Sequence, residues 1–273
     1  MENLKPLKRF GQNYLQDQNT ILKIIDTFNV QPDDTILEIG PGRGALTKFL
    51  HNKPKKYFAV EIDKRVIDEL KNNFSNVHFI NADFLELNLK QIQSEFINEI
   101  TYDNQTESRS IRIIGNIPYN ITSPILFKMI ENRLLIKDAL IMTQYEVAKR
   151  IIAKPRTKDY GILSVLMNYF ATVELCFKIS PNVFYPKPKV DSAIIKIDFQ
   201  NNKEVELDYK LFIQVVKASF GNRRKTLKNS LSNSIYKDIG LSKIDFDFTR
   251  RAEELSIEEF IELTKKMKKL LSN

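Results

Sequence analysis

The chain has 273 residues, with 42 Lys and Arg against 34 Asp and Glu and a formal net charge of +8. A lone cysteine rules out an internal disulfide, and with only two separate histidines it cannot build a zinc site of the usual kind. No apolar run approaches the roughly 20 residues that cross a bilayer, and the basic balance favours an anionic partner, nucleic acid first.

The first ten residues lack the apolar core of a signal peptide, so the cytoplasm is the expected compartment. From there, β-type and helix-type runs alternate. Strands are expected at Thr35–Ile39, Tyr57–Glu61, Val77–Ile80, Ile111–Ile114 and Ala139–Met142, and helices at Arg43–His51, Lys64–Asn73, Ser123–Asn132 and Glu146–Ala153. Such alternation predicts βαβ units and an α/β domain with a mostly parallel sheet. Val173–Ile179 and Asp191–Phe199 have no obvious helix between them and are expected as an antiparallel edge pair. Within the polar stretch from Asn88 to Ser110, the part near Tyr102–Arg109 reads as a surface loop. Beyond about residue 200 only helices are expected, at Tyr209–Phe220, Arg224–Ser232 and Ile257–Leu271, the last opened by a Ser256-x-x-Glu259 capping box. The predicted organisation is an α/β domain over residues 1–199 and a small all-helical domain over 200–273.

Ile36-Leu-Glu-Ile-Gly-Pro-Gly-Arg-Gly-Ala-Leu-Thr47 runs from a strand through Gly40, Gly42 and Gly44 into a helix. Glycines there let the backbone turn and a ligand approach closely. Glu61, at the end of the second strand, can accept bonds from both ribose hydroxyls of a nucleoside, and Asp83, after the third, one from an adenine amino group. The glycine spacing alone leaves a dinucleotide and S-adenosylmethionine both open. Glu38 favours the second, because a carboxylate there meets a cationic amino acid portion but repels a pyrophosphate.

Ile114-Gly-Asn-Ile-Pro-Tyr-Asn-Ile121 follows the fourth strand. The Asn116 side-chain oxygen and the Pro118 carbonyl can accept the two N–H bonds of an exocyclic amine, and Tyr119 offers a flat face to its base. That arrangement suits transfer of a methyl group to an amino nitrogen, with no metal and no dedicated base.

The chain resembles the rRNA adenine dimethyltransferases, in their small-subunit branch. The resemblance rests on Arg9-Phe-Gly-Gln-Asn-Tyr-Leu15, the glycine loop, Val60-Glu-Ile-Asp63, Asn81-Ala-Asp83 and Gly115–Ile121. It continues through Gln144-x-Glu-Val-Ala-x-Arg150, Lys158-Asp-Tyr-Gly161, Val183–Ser192 and Phe220–Leu227. It implies a Rossmann-like class I methyltransferase fold and S-adenosylmethionine contacts from Asn13, Leu15, Gly40, Glu61, Asp83 and Asn116, with Gly42 in the same loop. It also implies that Phe184 forms the second wall of a base pocket opposite Tyr119. The implied reaction dimethylates N6 of two adjacent adenosines in a hairpin loop near the 3′ end of 16S rRNA, within an immature small subunit, by a monomeric enzyme. Two alternatives accompany this reading: a non-catalytic RNA-binding assembly factor on the same scaffold, and a resistance-type methylase of large-subunit rRNA. Tyr14 stands where Phe is usual, and Arg156 where Gly is common. Basic clusters at residues 5–9, 149–158 and 223–228 are the expected RNA surface, spread over both domains.

Overall fold

A computed structural model describes residues 5–7, 10–92, 111–200, 207–222 and 224–271. The expected loop near Tyr102–Arg109 lies outside these residues, as do Lys8, Arg9 and Arg223 of the basic clusters.

A short strand β1 (Tyr14–Leu15) leads into α1 (Gln18–Phe28). Sequence reading did not single out this helix. Its signal is nonetheless present: Ile21, Ile24, Ile25 and Phe28 are buried at helical spacing, and the Asp17 side chain caps it by accepting the Thr20 N–H at 2.7 Å. Then come β2 (Thr35–Ile39), β3 (Lys56–Glu61), β4 (His78–Asn81), β5 (Ile111–Asn116), β6 (Ile136–Gln144), β7 (Thr172–Ile179), β8 (Phe184–Tyr185) and β9 (Ser192–Asp198). Seven of these form one sheet in the order β4-β3-β2-β5-β6-β9-β7. The pairs from β4 to β6 are parallel, and β9 enters antiparallel to β6, with β7 at the edge. The sequence of strands reverses direction between β2 and β5, which opens a crevice at their carboxyl ends.

Between the strands lie α2 (Thr47–Leu50), α3 (Lys64–Asn73), α4 (Thr122–Glu131), α5 (Tyr145–Ile151) and α6 (Ile162–Phe170). The helix expected over Arg43–His51 is reduced to four residues, because Gly42 and Gly44 hold positive φ and spend the first half of that segment on turns. Sequence reading did not separate α6 from its surroundings. Six of its nine residues are buried and only Asn168 is exposed, and so short and apolar a run does not tell a buried helix from a buried strand.

Contacts divide the chain into two compact units, one of residues 1–148 and 173–200 and one of 149–172 and 201–273. The second unit therefore includes α6, which the sequence division had placed with the first 199 residues. Its other helices are α7 (Tyr209–Ser219), α8 (Leu227–Ser232) and α9 (Ile257–Leu271). They share a core built on Leu211, Val215, Leu231, Leu263 and Met267. The capping box of α9 is formed in both directions, Glu259 accepting the Ser256 N–H at 2.8 Å and Ser256 Oγ accepting the Glu259 N–H at 3.3 Å. Arg156 sits at φ +66°, a left-handed position that glycine adopts without strain, which gives a physical reason for glycine being common there. Lys154, Arg156, Lys158, Arg224, Lys225 and Lys228 are all exposed and all in this second unit.

Candidate active site

The carboxyl ends of β2, β3 and β5 surround a cavity of about 370 Å³, all of it in the first unit. That size falls within the range of about 300–1,000 Å³ typical of small-molecule sites. Gly40, Gly42, Glu61 and Asp83 line it on one side, Asn116, Pro118 and Tyr119 on another, and Asn13 and Leu15 close it from the N-terminal segment. Phe184 is the one assigned residue not in the lining. It is 4% exposed, packed in the main core, and paired across β1 and β8 with Leu15.

The glycine loop is tight as well as permissive. Gly42 has φ +54°, and a Cβ there would lie 3.1 Å from the Tyr14 ring. Its N–H donates to Glu61 Oε2 at 3.2 Å, while the Asp63 N–H donates to Glu61 Oε1 at 2.9 Å. These bonds hold the carboxylate at the cavity rim with lone pairs to spare for a diol. Burial pushes the Glu61 carboxyl up against the opposing pull of those N–H groups. Asp83 Oδ1 accepts the Leu85 N–H at 2.8 Å, so the carboxylate is steadied by its own turn. Lys128 donates to the Leu85 carbonyl at 2.6 Å and ties the same turn to α4.

Glu38 lies deeper, 1% exposed, and its Oε2 accepts the hydroxyls of Thr47 and Tyr57, each at 2.6 Å. Burial pushes its carboxyl up to about 7. The folded protein thus keeps this proton through a range in which the unfolded chain, titrating near 4.5, has already released it. Above pH 4.5 folding takes up a proton, so the stability drawn from this site falls as pH rises toward 7 and is level beyond it. Glu38→Gln keeps an acceptor for both hydroxyls and removes the charge. The variant is expected to gain on wild type between pH 5 and 8 by at most about 3 kcal/mol, read from melts at both pH values. Parallel pH dependence in the two proteins would remove Glu38 as the cause.

On the other side, the Asn116 amide donates to the Asn13 backbone carbonyl at 2.8 Å. A carbonyl only accepts, so the NH₂ faces Asn13 and Oδ1 is left as the acceptor. The Pro118 carbonyl accepts the Ile121 N–H at 3.2 Å and retains a second lone pair. Gly115, just before Asn116, cannot take a side chain, since a Cβ would fall 2.5 Å from the Ile39 carbonyl. Tyr119 stands on a single 3₁₀ turn, Tyr119–Ile121, and shares a 2.6 Å hydrogen bond with Ser192 Oγ.

The segment carrying Asn13 is itself pinned. Gln12 donates to Asp63 at 3.2 Å and accepts the Tyr14 hydroxyl at 2.9 Å. The hydroxyl that distinguishes Tyr14 from Phe therefore has a partner, and burial with Glu61 and Asp63 nearby pushes it up to about 12.

The profile of the ribosomal RNA adenine dimethylase family matches residues 3–269. The chain belongs to that family. It is similar to ribosomal RNA small subunit methyltransferase A of Francisella tularensis subsp. novicida (strain U112), at 42% identity over 264 residues, 95% of this chain and 96% of that protein. In structure it is similar to a dimethyladenosine transferase from Plasmodium falciparum, with TM-score 0.73 and 26% identity over 94% of this chain and 98% of the other. It is also similar to the 23S rRNA methyltransferase ErmE, with TM-score 0.63 and 26% identity over 93% and 99%. The α/β expectation is met by the class I methyltransferase fold, parallel through β6 with an antiparallel strand beyond it.

Within this dimethylase, sequence reasoning missed Gln12, Thr47, Tyr57, Lys128 and Ser192. Each acts through a contact 9 to 73 positions away along the chain. Gln12, Thr47 and Ser192 lie inside the motifs quoted above, as does Gly115, but their roles depend on partners that no local pattern shows. Among the described residues, no helix is long and apolar enough to cross a membrane.

Proposed function

We propose that this enzyme transfers methyl groups from S-adenosylmethionine to N6 of two adjacent adenosines in the 3′-terminal hairpin loop of 16S rRNA, giving N6,N6-dimethyladenosine. The observation that carries the reading is one cavity lined by both sets of residues, the Gly40–Glu61–Asp83 set and the Asn116–Pro118–Tyr119 set. The small-subunit assignment draws on the 42% identity to a protein named for the small subunit.

The residues present fit the donor. Glu61 would take the ribose hydroxyls, Asp83 the adenine amino group, and Glu38 the ammonium directly or through water. The backbone at Gly40 and Gly42 leaves room for close approach. When bound, S-adenosylmethionine supplies an electrophilic methyl group on sulfur. Asn116 Oδ1 and the Pro118 carbonyl accept the two N–H bonds of the target amine, which draws its lone pair out of ring conjugation. Tyr119 stacks on the base, an interaction worth about 1–3 kcal/mol, and the target nucleotide leaves its stack to reach the pocket. The protein supplies orientation and acceptors for developing positive charge. The methylated nitrogen is acidic and releases its proton to water. Phe184 joins as the second wall only if β8 presents it from the core in the RNA complex.

We further propose an immature small subunit as the substrate, a monomer as the working form and the cytoplasm as the compartment. The test is methyl transfer from labelled donor to unmodified 30S particles, free 16S rRNA and 50S particles, followed by nucleoside analysis. Dimethyladenosine in 30S particles is the expected product. Label confined to 50S particles would support the large-subunit alternative, and absence of label with intact RNA binding would support the non-catalytic one.

A further inference from the structure

Tyr119 reaches sideways. Its turn follows β5, whereas Ser192 opens β9, and β6 runs between those two strands. Asn116 pairs with Met142 and Gln144 with Ser192, so all three strands end or begin at the same rim of the sheet. Neighbouring strands lie about 4.8 Å apart, and the phenol ring spans the end of β6 to place its hydroxyl 2.6 Å from Ser192 Oγ. Ser192 is fully buried, whereas Tyr119 is half-buried at the cavity wall.

A half-buried tyrosine that faces a cavity from a one-turn 3₁₀ helix can swing about its Cα–Cβ bond. A bond from a rigid buried hydroxyl removes that freedom. We propose that Ser192 is a positioning residue for methyl transfer, fixing the direction of the Tyr119 ring axis so that the ring wall aligns the target amine with Asn116 Oδ1. The inference rests on the acceptor role of Asn116 and Tyr119 given above. It assigns the Tyr119 hydroxyl to orienting the ring rather than to proton transfer. Misalignment by a small angle lowers the fraction of bound substrate in a reactive geometry and so appears in kcat.

Three variants test this: Ser192→Ala, Tyr119→Phe and the two combined. Each single change removes the same bond from one end. Each is expected to lower kcat on 30S particles about tenfold, equivalent to about 1.4 kcal/mol. The double variant should be no slower than either single within about twofold, because groups joined in one interaction are non-additive. Donor affinity by calorimetry should stay within about twofold of wild type, since neither hydroxyl is among the groups assigned to the donor. A merely structural role for Ser192 predicts a multiplicative double variant, about a hundredfold slower. That result, a single variant at the wild-type rate, or weakened donor binding overturns the proposal. Should Ser192→Ala fail to fold, Tyr119→Phe removes only an oxygen and decides alone: a wild-type rate overturns, and a loss confined to kcat supports. If wild type itself transfers no methyl group, the functional reading fails before this one is reached.

Discussion

Asn116→Ala should lower methyl transfer to 30S particles by roughly 10²- to 10³-fold or more, the scale of losing one preorganised group that meets developing charge. The side-chain oxygen is directed by a single bond, from the amide NH₂ to the Asn13 carbonyl at 2.8 Å. Alanine removes the acceptor and that tether together. The two effects separate by measurement. Loss of the acceptor appears in the rate at saturating donor, whereas loosening of the Asn13 segment appears in donor affinity. Because that segment is also held by Gln12 on Asp63 and by the pairing of β1 with β8, affinity is expected to change less than about tenfold. Circular dichroism should show an unchanged fold, since Asn116 lies at the strand end and not in the core. A variant with the wild-type rate would remove Asn116 from the chemistry.

Arg112→Leu should cost about 3–5 kcal/mol of stability, the usual result of taking one partner from a buried ionic cluster. Arg112 stands at the opposite end of β5 from Asn116. Its guanidinium donates to Asp138 twice at 2.8 Å, to Asp34 at 2.5 Å, and to the carbonyls of Phe28 and Asn29 at 2.8 and 3.1 Å. All three charged residues are buried. The arginine thus closes the C-terminus of α1 as well as neutralising two carboxylates. Leucine leaves both aspartates without their cation and takes the guanidinium bond from the Phe28 carbonyl, while the Asn29 carbonyl keeps the Gln31 side chain as a donor at 3.1 Å. Urea unfolding checks the figure, and a loss under about 1 kcal/mol would mean that water or a shifted side chain takes over. Where the variant is still folded, donor binding should stay near wild type, because the donor residues gather at the other rim of the sheet. One strand thereby separates stability from chemistry by its length.

The strands of the parallel sheet were legible because each is a compact run of branched and aromatic residues between polar turns, as Thr35–Ile39 shows. α3 and α9 were equally plain, for their buried residues fall at helical spacing and their caps are local. α6 escaped because a short, mostly apolar run does not tell a buried helix from a buried strand. The short α2 was over-extended because turn-forming glycines at Gly42 and Gly44 look, in one dimension, like the start of the helix that follows. The domain division at residue 199 tracked chain order, but compactness assigns 149–172 to the C-terminal unit.

The site shows the same division of labour. Residue type and spacing determined the chemistry: glycines for close approach, Glu61 and Asp83 one strand apart, and an Asn-Ile-Pro-Tyr turn whose oxygens suit an amine. These are local facts, because each motif is a strand end plus its turn. Tertiary structure alone decided how those groups are aimed. Asn116 is oriented by a carbonyl 103 positions away, Tyr119 by a hydroxyl 73 away, and Gln12 is anchored on a carboxylate 51 away. A hydrogen bond depends on distance in space and carries no trace along the chain. The sequence therefore determined what this dimethylase can do, and the folding of distant segments onto one sheet rim decided the angles at which it does so.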